Sequence, residues 1–389
     1  MLWQRLFAIV AAVGAAALTL ACAPPDVDDP RLRNRAVEFD AAALTRFLSQ
    51  SVRLEGTPLA ATSRAWLDRA HGCALLRAYG EANDPTPPLL ECADSERLDP
   101  SLAQLLAEHR GTSDGILFWP IGQDGRLELR LDVDPAGGLS IEGLAVMPEA
   151  DGPLALLIPD AEPPARSVLS RASSWLYARG RPQGGLRLTR FLPPESQADR
   201  LFALRGRLLE GALLSGTWEL ALLPPIEGGE VPLAVAALHH RAEAALLPAL
   251  SEALDQLEAT WPIRRTSRRF GLADGTNAEG GCFFDLPILP ELEPCWVVTP
   301  RALVIGYHGD AIEATIGPPP VSAAPDLTAS TPGTRLELQL DRIERSDRRR
   351  QAQTGKVTLG ALFSRIDLQI RPEGPRRVRL SAQLTPSAP

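Results

Sequence analysis

His239-His240 followed by Glu243 is the arrangement in this chain nearest to a metal site. On a helix, His240 and Glu243 would stand one turn apart and could present nitrogen and oxygen to one ion. No third ligand lies near them and no H-E-x-x-H occurs, so a solvated helix start is the plainer reading. His308-Gly-Asp310 follows an apolar run, a place where a catalytic histidine can stand; the simpler reading is a strand-to-helix turn with Asp310 as the cap. Serine chemistry finds no G-x-S-x-G elbow, and a Ser–Lys pair could use only Lys356, the single lysine. Asp132-Val-Asp134 and the trio Asp26, Asp28, Asp29 lack the further oxygens of a calcium loop. Neither a Walker A loop nor a G-x-G-x-x-G after a strand occurs. No catalytic residue, metal or cofactor is assigned.

Cys22 carries a different chemistry. It closes Leu18-Thr19-Leu20-Ala21-Cys22, directly after a short apolar run from Leu6 to Leu20 led by Arg5. That run is short for a bilayer span and reads as the core of a signal peptide. A cysteine at this point resembles the lipidation site of bacterial lipoproteins, whose thiol receives a diacylglycerol. Thr19 departs from the aliphatic residue usual there. Ala21-Cys22-Ala23 offers a rival cut for soluble export, with Pro24 set unfavourably after it. Ala23 after the cysteine resembles the outer-membrane default. The expected location is the cell envelope, lipid-anchored at the outer membrane and facing periplasm or cell surface, with a soluble periplasmic form as the alternative.

Lipidating Cys22 leaves Cys73, Cys92, Cys282 and Cys295, an even number in an oxidising compartment. Short loop closure favours Cys73–Cys92 and Cys282–Cys295 among the three connectivities. Each bridge would contribute roughly 3 kcal/mol.

The formal net charge is −8, and Arg5 would leave with the signal. That balance argues against nucleic acid as a partner. Two arginine clusters, Arg264-Arg265-Thr-Ser-Arg268-Arg269 and Arg345-Ser-Asp-Arg348-Arg349-Arg350, could meet phosphate head groups or acidic polysaccharide; solvated faces are the plainer reading.

The elements that must carry these residues follow from periodicity. Residues 1–21 form the signal and 22–35 a flexible tether. Residues 36–160 form a first lobe: strand Val37–Phe39, a helix from Ala41 capped by Asp40, a helical insert bearing Cys73 and Cys92, and a strictly alternating hairpin over 126–146. A central lobe spans 161–317. It holds strands at Trp175–Ala178, Trp218–Leu223 and Pro232–Leu238, a helix over 196–214, and a helix over 241–260 that Pro248 should kink or split. Short strands follow near 268–272, 282–286, 295–298 and 303–307, then a helix around 310–316. A proline-rich linker, 318–333, leads to a last strand-helix-hairpin unit, 334–389. Strand, Asp-capped helix and hairpin thus occur twice, an order that suggests internal duplication into two related lobes. The fold class expected is α+β, antiparallel sheets with helices packed on one face.

Trp175–Ala178, the leucine-rich stretch 199–214, Gly216-Thr-Trp-Glu-Leu-Ala-Leu, the unit 232–259 and Ala302-Leu-Val-Ile-Gly306 together resemble an uncharacterised family of exported bacterial proteins. The resemblance spans under half of the chain, rests on burial patterns and implies no activity. The reading favoured is a non-catalytic envelope lipoprotein, attached to the membrane through its lipid, that binds or scaffolds another envelope component. A carrier of lipid or another hydrophobic ligand, and a hydrolase with an unrecognised site, are the alternatives.

Overall fold

A computed structural model describes residues 36–39, 113, 115–121, 125–134, 138–146, 158–183, 216–225, 232–240, 243–260, 263–284, 293–316, 332–343 and 363–386. Cys22, Cys73, Cys92, the tether, linker residues 318–331, Lys356, the arginines at 345–350, the helix expected from Ala41, the helical insert and the helix expected over 196–214 lie outside these residues. Strand accounts for 57% of the interpretable region and helix for 15%. The α+β expectation is thereby corrected: the described residues are mainly β. Period-two alternation of leucine, isoleucine and valine is the dominant pattern in the described segments, and such segments are stable only when paired into sheets.

The chain divides into two units, Met1–Ala150 with Leu338–Pro389, and Asp151–Glu337. In the first, the strand order is β1 (Ala36–Phe39), β2 (Gly115–Ile121), β3 (Gly125–Val133), β4 (Leu139–Val146), β14 (Arg377–Pro386), β13 (Phe363–Gly374), each antiparallel to the next. Leu127, Leu129, Leu131, Leu139, Ile141 and Ala145 are buried, whereas Arg130, Asp132 and Glu142 between them are exposed. The second hairpin repeats this pattern: Ile366, Leu368, Ile370, Val378 and Leu384 are buried, Arg371, Arg377 and Arg379 exposed.

The two expected lobes need correction here. Both hairpins belong to one unit and pair directly, Leu139 opposite Leu384 and Val146 opposite Arg377. Their connections differ in length, residues 134–138 between Val133 and Leu139 in one and residues 375–376 between Gly374 and Arg377 in the other. An amphipathic hairpin has one apolar face and an open edge. Setting two such hairpins edge to edge extends one buried face and removes an edge from each.

The second unit has the order β12 (Thr334–Gln339), β5 (Leu176–Gly180), β6 (Trp218–Leu223), β7 (Leu233–His239), β11 (Ala302–Gly306), β10 (Cys295–Val298), β9 (Asn277–Phe284), β8 (Arg264–Gly271). The ladders from β5 to β8 are all antiparallel. Two helices cover its sheet, α1 (Glu243–Thr260) and α2 (Gly309–Ile316). Leu246 and Leu250 of α1 pack with Val298 and Leu303. Ala311, Ile312 and Ile316 of α2 pack with Val235, Ala237, Val297 and Val304. Leu303 and Val304 are adjacent in β11 and point to opposite faces. The helices therefore lie on opposite faces, and the expectation of helices on one face is corrected. Its cause is compositional: β7, β10 and β11 are apolar at both parities, so each face needs a cover. Burying Ile312 or Leu246 completely contributes about 1.5–3 kcal/mol each.

α1 runs unbroken through Pro248. The leucine stripe of residues 246, 250 and 254, in register with the sheet beneath, holds a helix together across a residue that cannot donate.

Candidate functional site

In β6 the alternation of Trp218-Glu-Leu-Ala-Leu-Leu223 puts Glu219 on the same face as Ala221 and Leu223, toward the core. Its carboxylate is fully enclosed, at 0% side-chain exposure. A buried carboxylate persists only where donors replace its lost water, and here five donors converge from three places. His239, closing β7, sets Nε2 at 2.6 Å from Oε1. Tyr177 of β5 donates its hydroxyl to Oε2 at 2.9 Å. Ser167 donates to Oε2 at 2.6 Å. The backbone N–H groups of Val168 and Leu169 reach Oε1 and Oε2 at 2.8 and 3.2 Å.

The last three donors belong to an irregular segment, residues 163–170, that crosses this face without joining the sheet. Buried backbone outside a ladder must find side-chain partners. Ala165 N–H goes to Thr217 Oγ1 at 2.9 Å, and the Pro164 and Ala165 carbonyls accept from the buried guanidinium of Arg179. Ser170 N–H goes to the Thr315 carbonyl in α2. Glu219 is thus the hub that fastens this strap, with Leu169 pressed into the core behind it.

Electrostatics follow from the geometry. Burial by itself would raise the Glu219 pKa. The hydrogen bond from His239, its charge, and the bonds from Ser167 and Val168 outweigh that and hold the carboxyl below its ordinary value. Burial, then the adjacent Glu219 charge, pushes the Tyr177 phenol well above its usual range, so it stays a donor. Because carboxylate oxygens only accept, His239 carries a proton on Nε2. The serine hydroxyl and the imidazole both address the carboxylate. Nucleophilic catalysis needs the imidazole on the hydroxyl instead, so the arrangement is built to hold a strap in place.

The residues singled out by sequence are dispersed. His240 precedes α1 rather than lying on it, and its Nε2 donates to the Thr299 carbonyl at 2.9 Å. No group of three or more His, Cys, Asp or Glu able to hold a metal occurs among the described residues. His308, not Asp310, caps α2: its Nδ1 accepts the Asp310 N–H at 3.2 Å. Asp310 sits in the first turn and pairs with Arg268 at 2.7 Å, which holds its carboxyl below the ordinary range. Asp134 closes the β3–β4 turn by accepting the Gly138 N–H at 2.9 Å.

The cluster at 264–269 is an edge strand in which Arg265 and Arg268 are paired within the fold. Arg265 meets Asp255 and Glu258 of α1, while Arg268 meets Asp310 and Glu313 of α2. Cys282 and Cys295 stand directly opposite each other on β9 and β10, with Cα atoms 4.0 Å apart, and form a disulfide as expected. Phe283 N–H bonds the Pro294 carbonyl, so the cysteines occupy the closer, non-hydrogen-bonded type of pair.

Sequence reasoning missed Ser167, Tyr177, Arg179 and Glu219. Their separations along the chain leave no motif. One signal was present: Glu219 is a charged residue on the inward parity of an otherwise apolar strand. No family model, curated protein or solved structure matches the chain.

Proposed function

We propose that the chain is an exported, lipid-anchored module of the cell envelope that works by binding or scaffolding another envelope component. The observation that carries this reading is the Cys282–Cys295 bridge between the adjacent strands β9 and β10. Disulfides of this kind persist in oxidising compartments, and a lipidated Cys22 would hold the protein there. The expected kinship with an exported family belongs to the same proposal. The polar hub at Glu219 supports a binding role over turnover, because its donors and acceptors are engaged in fastening the strap.

The test is made in the producing cell. Radiolabelled palmitate should enter the wild-type chain and not Cys22→Ala, and acid-trapped thiol labelling should find Cys282 and Cys295 protected until reductant is added. Photo-crosslinkers placed at exposed positions should give adducts of one defined mass. Cytosolic fractionation with both thiols reactive, or the absence of a discrete adduct from every position, overturns the proposal.

A further inference from the structure

Among the described residues, β8 ends the strand order of its sheet. It is eight residues long and runs in unbroken register with β9, with no bulge and no proline. Leu272 N–H bonds the Thr276 carbonyl at the turn, and Phe283 N–H bonds across to β10. Alternation from both ends sets the backbone groups of Thr266, Arg268 and Phe270 toward β9. Those of Arg265, Ser267 and Arg269 then point away from the sheet. Thr266, Ser267 and Arg269 are exposed. An exposed edge of this length is a template for another strand.

Charge decides which strand fits. Arg265 is held by two carboxylates, Asp255 at 2.9 Å and Glu258 at 3.1 Å, so that group carries a surplus negative charge. Arg269, on the same face, is only loosely held: it lies 3.8 Å from Glu279, with side chains 79% and 85% exposed. A wholly acidic partner would be repelled by the surplus at Arg265. A second copy of the same strand is not. Set antiparallel about a two-fold axis through Ser267, each Ser267 faces its counterpart. Arg265 then faces Arg269 of the second copy, beside Asp255 and Glu258. The surplus is neutralised twice by symmetry, and each outward residue exchanges its backbone bonds with its opposite number.

We infer that the protein self-associates through β8, two copies joining their second-unit sheets across this edge. The contact is small by the standards of stable complexes, so dimerisation falls in about the micromolar range.

Ser267→Cys in the full chain tests it. Ser267 faces its own counterpart across a hydrogen-bonded pair, a separation of about 5.5 Å that a disulfide spans. Mild oxidation should give a covalent dimer from Ser267→Cys. Thr266→Cys, which would face Arg268 of the second copy, and wild type should stay uncrosslinked. Sedimentation should show a concentration-dependent dimer for wild type. Ser267→Pro removes an N–H that serves no internal ladder and should leave a monomer. Arg269→Glu should weaken the dimer about tenfold. Equal crosslinking of Ser267→Cys and Thr266→Cys, a wild-type chain monomeric to millimolar concentration, or a dimer indifferent to both Ser267→Pro and Arg269→Glu overturns the inference.

Discussion

Nε2 of His239 stands 2.6 Å from Oε1 of Glu219, with both side chains closed to solvent at 2% and 0% exposure. The pair joins β6 to β7 on one face of the sheet and secures the strap over it. Removing one member leaves the other buried without its counterpart. Glu219→Gln should therefore lower stability by about 3 kcal/mol, read as a fall in the urea midpoint. Glu219→Ala should cost more, because it also opens a cavity and orphans the Val168 and Leu169 N–H groups.

The same carboxyl sets an acid limit. Its pKa is lower in the folded chain than in the unfolded one, so the unfolded state binds the proton more readily. The stability it contributes is present above the ordinary carboxylate value of about 4.3 and is lost as pH falls through the depressed folded value. Urea midpoints of wild type and Glu219→Gln should differ by a constant amount near neutrality and converge in that acid window.

Tyr177 sets an alkaline limit of opposite sign. Its folded pKa is raised, so its contribution is complete below the ordinary tyrosine value of about 10 and declines as pH rises beyond it. Tyr177→Phe should be less stable at neutral pH by about 1 kcal/mol, the worth of a lost hydroxyl bond, and should show a shallower decline in alkali, followed by circular dichroism.

The Cys282–Cys295 bridge closes a short loop, with a sequence separation of 13. The double change Cys282→Ser, Cys295→Ser should lower stability by about 3 kcal/mol. The paired residues Gly281 and Trp296 supply a further check. A Cβ on Gly281 would come within 2.5 Å of the Trp296 ring, which packs on Phe283 at 4.9 Å. Gly281→Val should cost about 2 kcal/mol through overpacking and shift the tryptophan emission.

Strand identity was legible along the chain because it is written locally. Period-two leucines marked both hairpins, and β10 falls at the residues expected, Cys295–Val298. The β8–β9 hairpin was not recognised, although Asp274-Gly275 at its turn, with Gly275 at φ +81°, is a strong hairpin signal. Local pairing of Cys282 with Cys295 was also readable, since short closure costs little entropy. Tertiary structure alone decided which hairpins became neighbours, which face each helix covers, and that Ser167, Tyr177, Glu219 and His239 meet. Hydrophobic period reports only that a face is buried; partners are chosen by packing and by the need of every buried polar group for a counterpart, and those are properties of the folded chain as a whole.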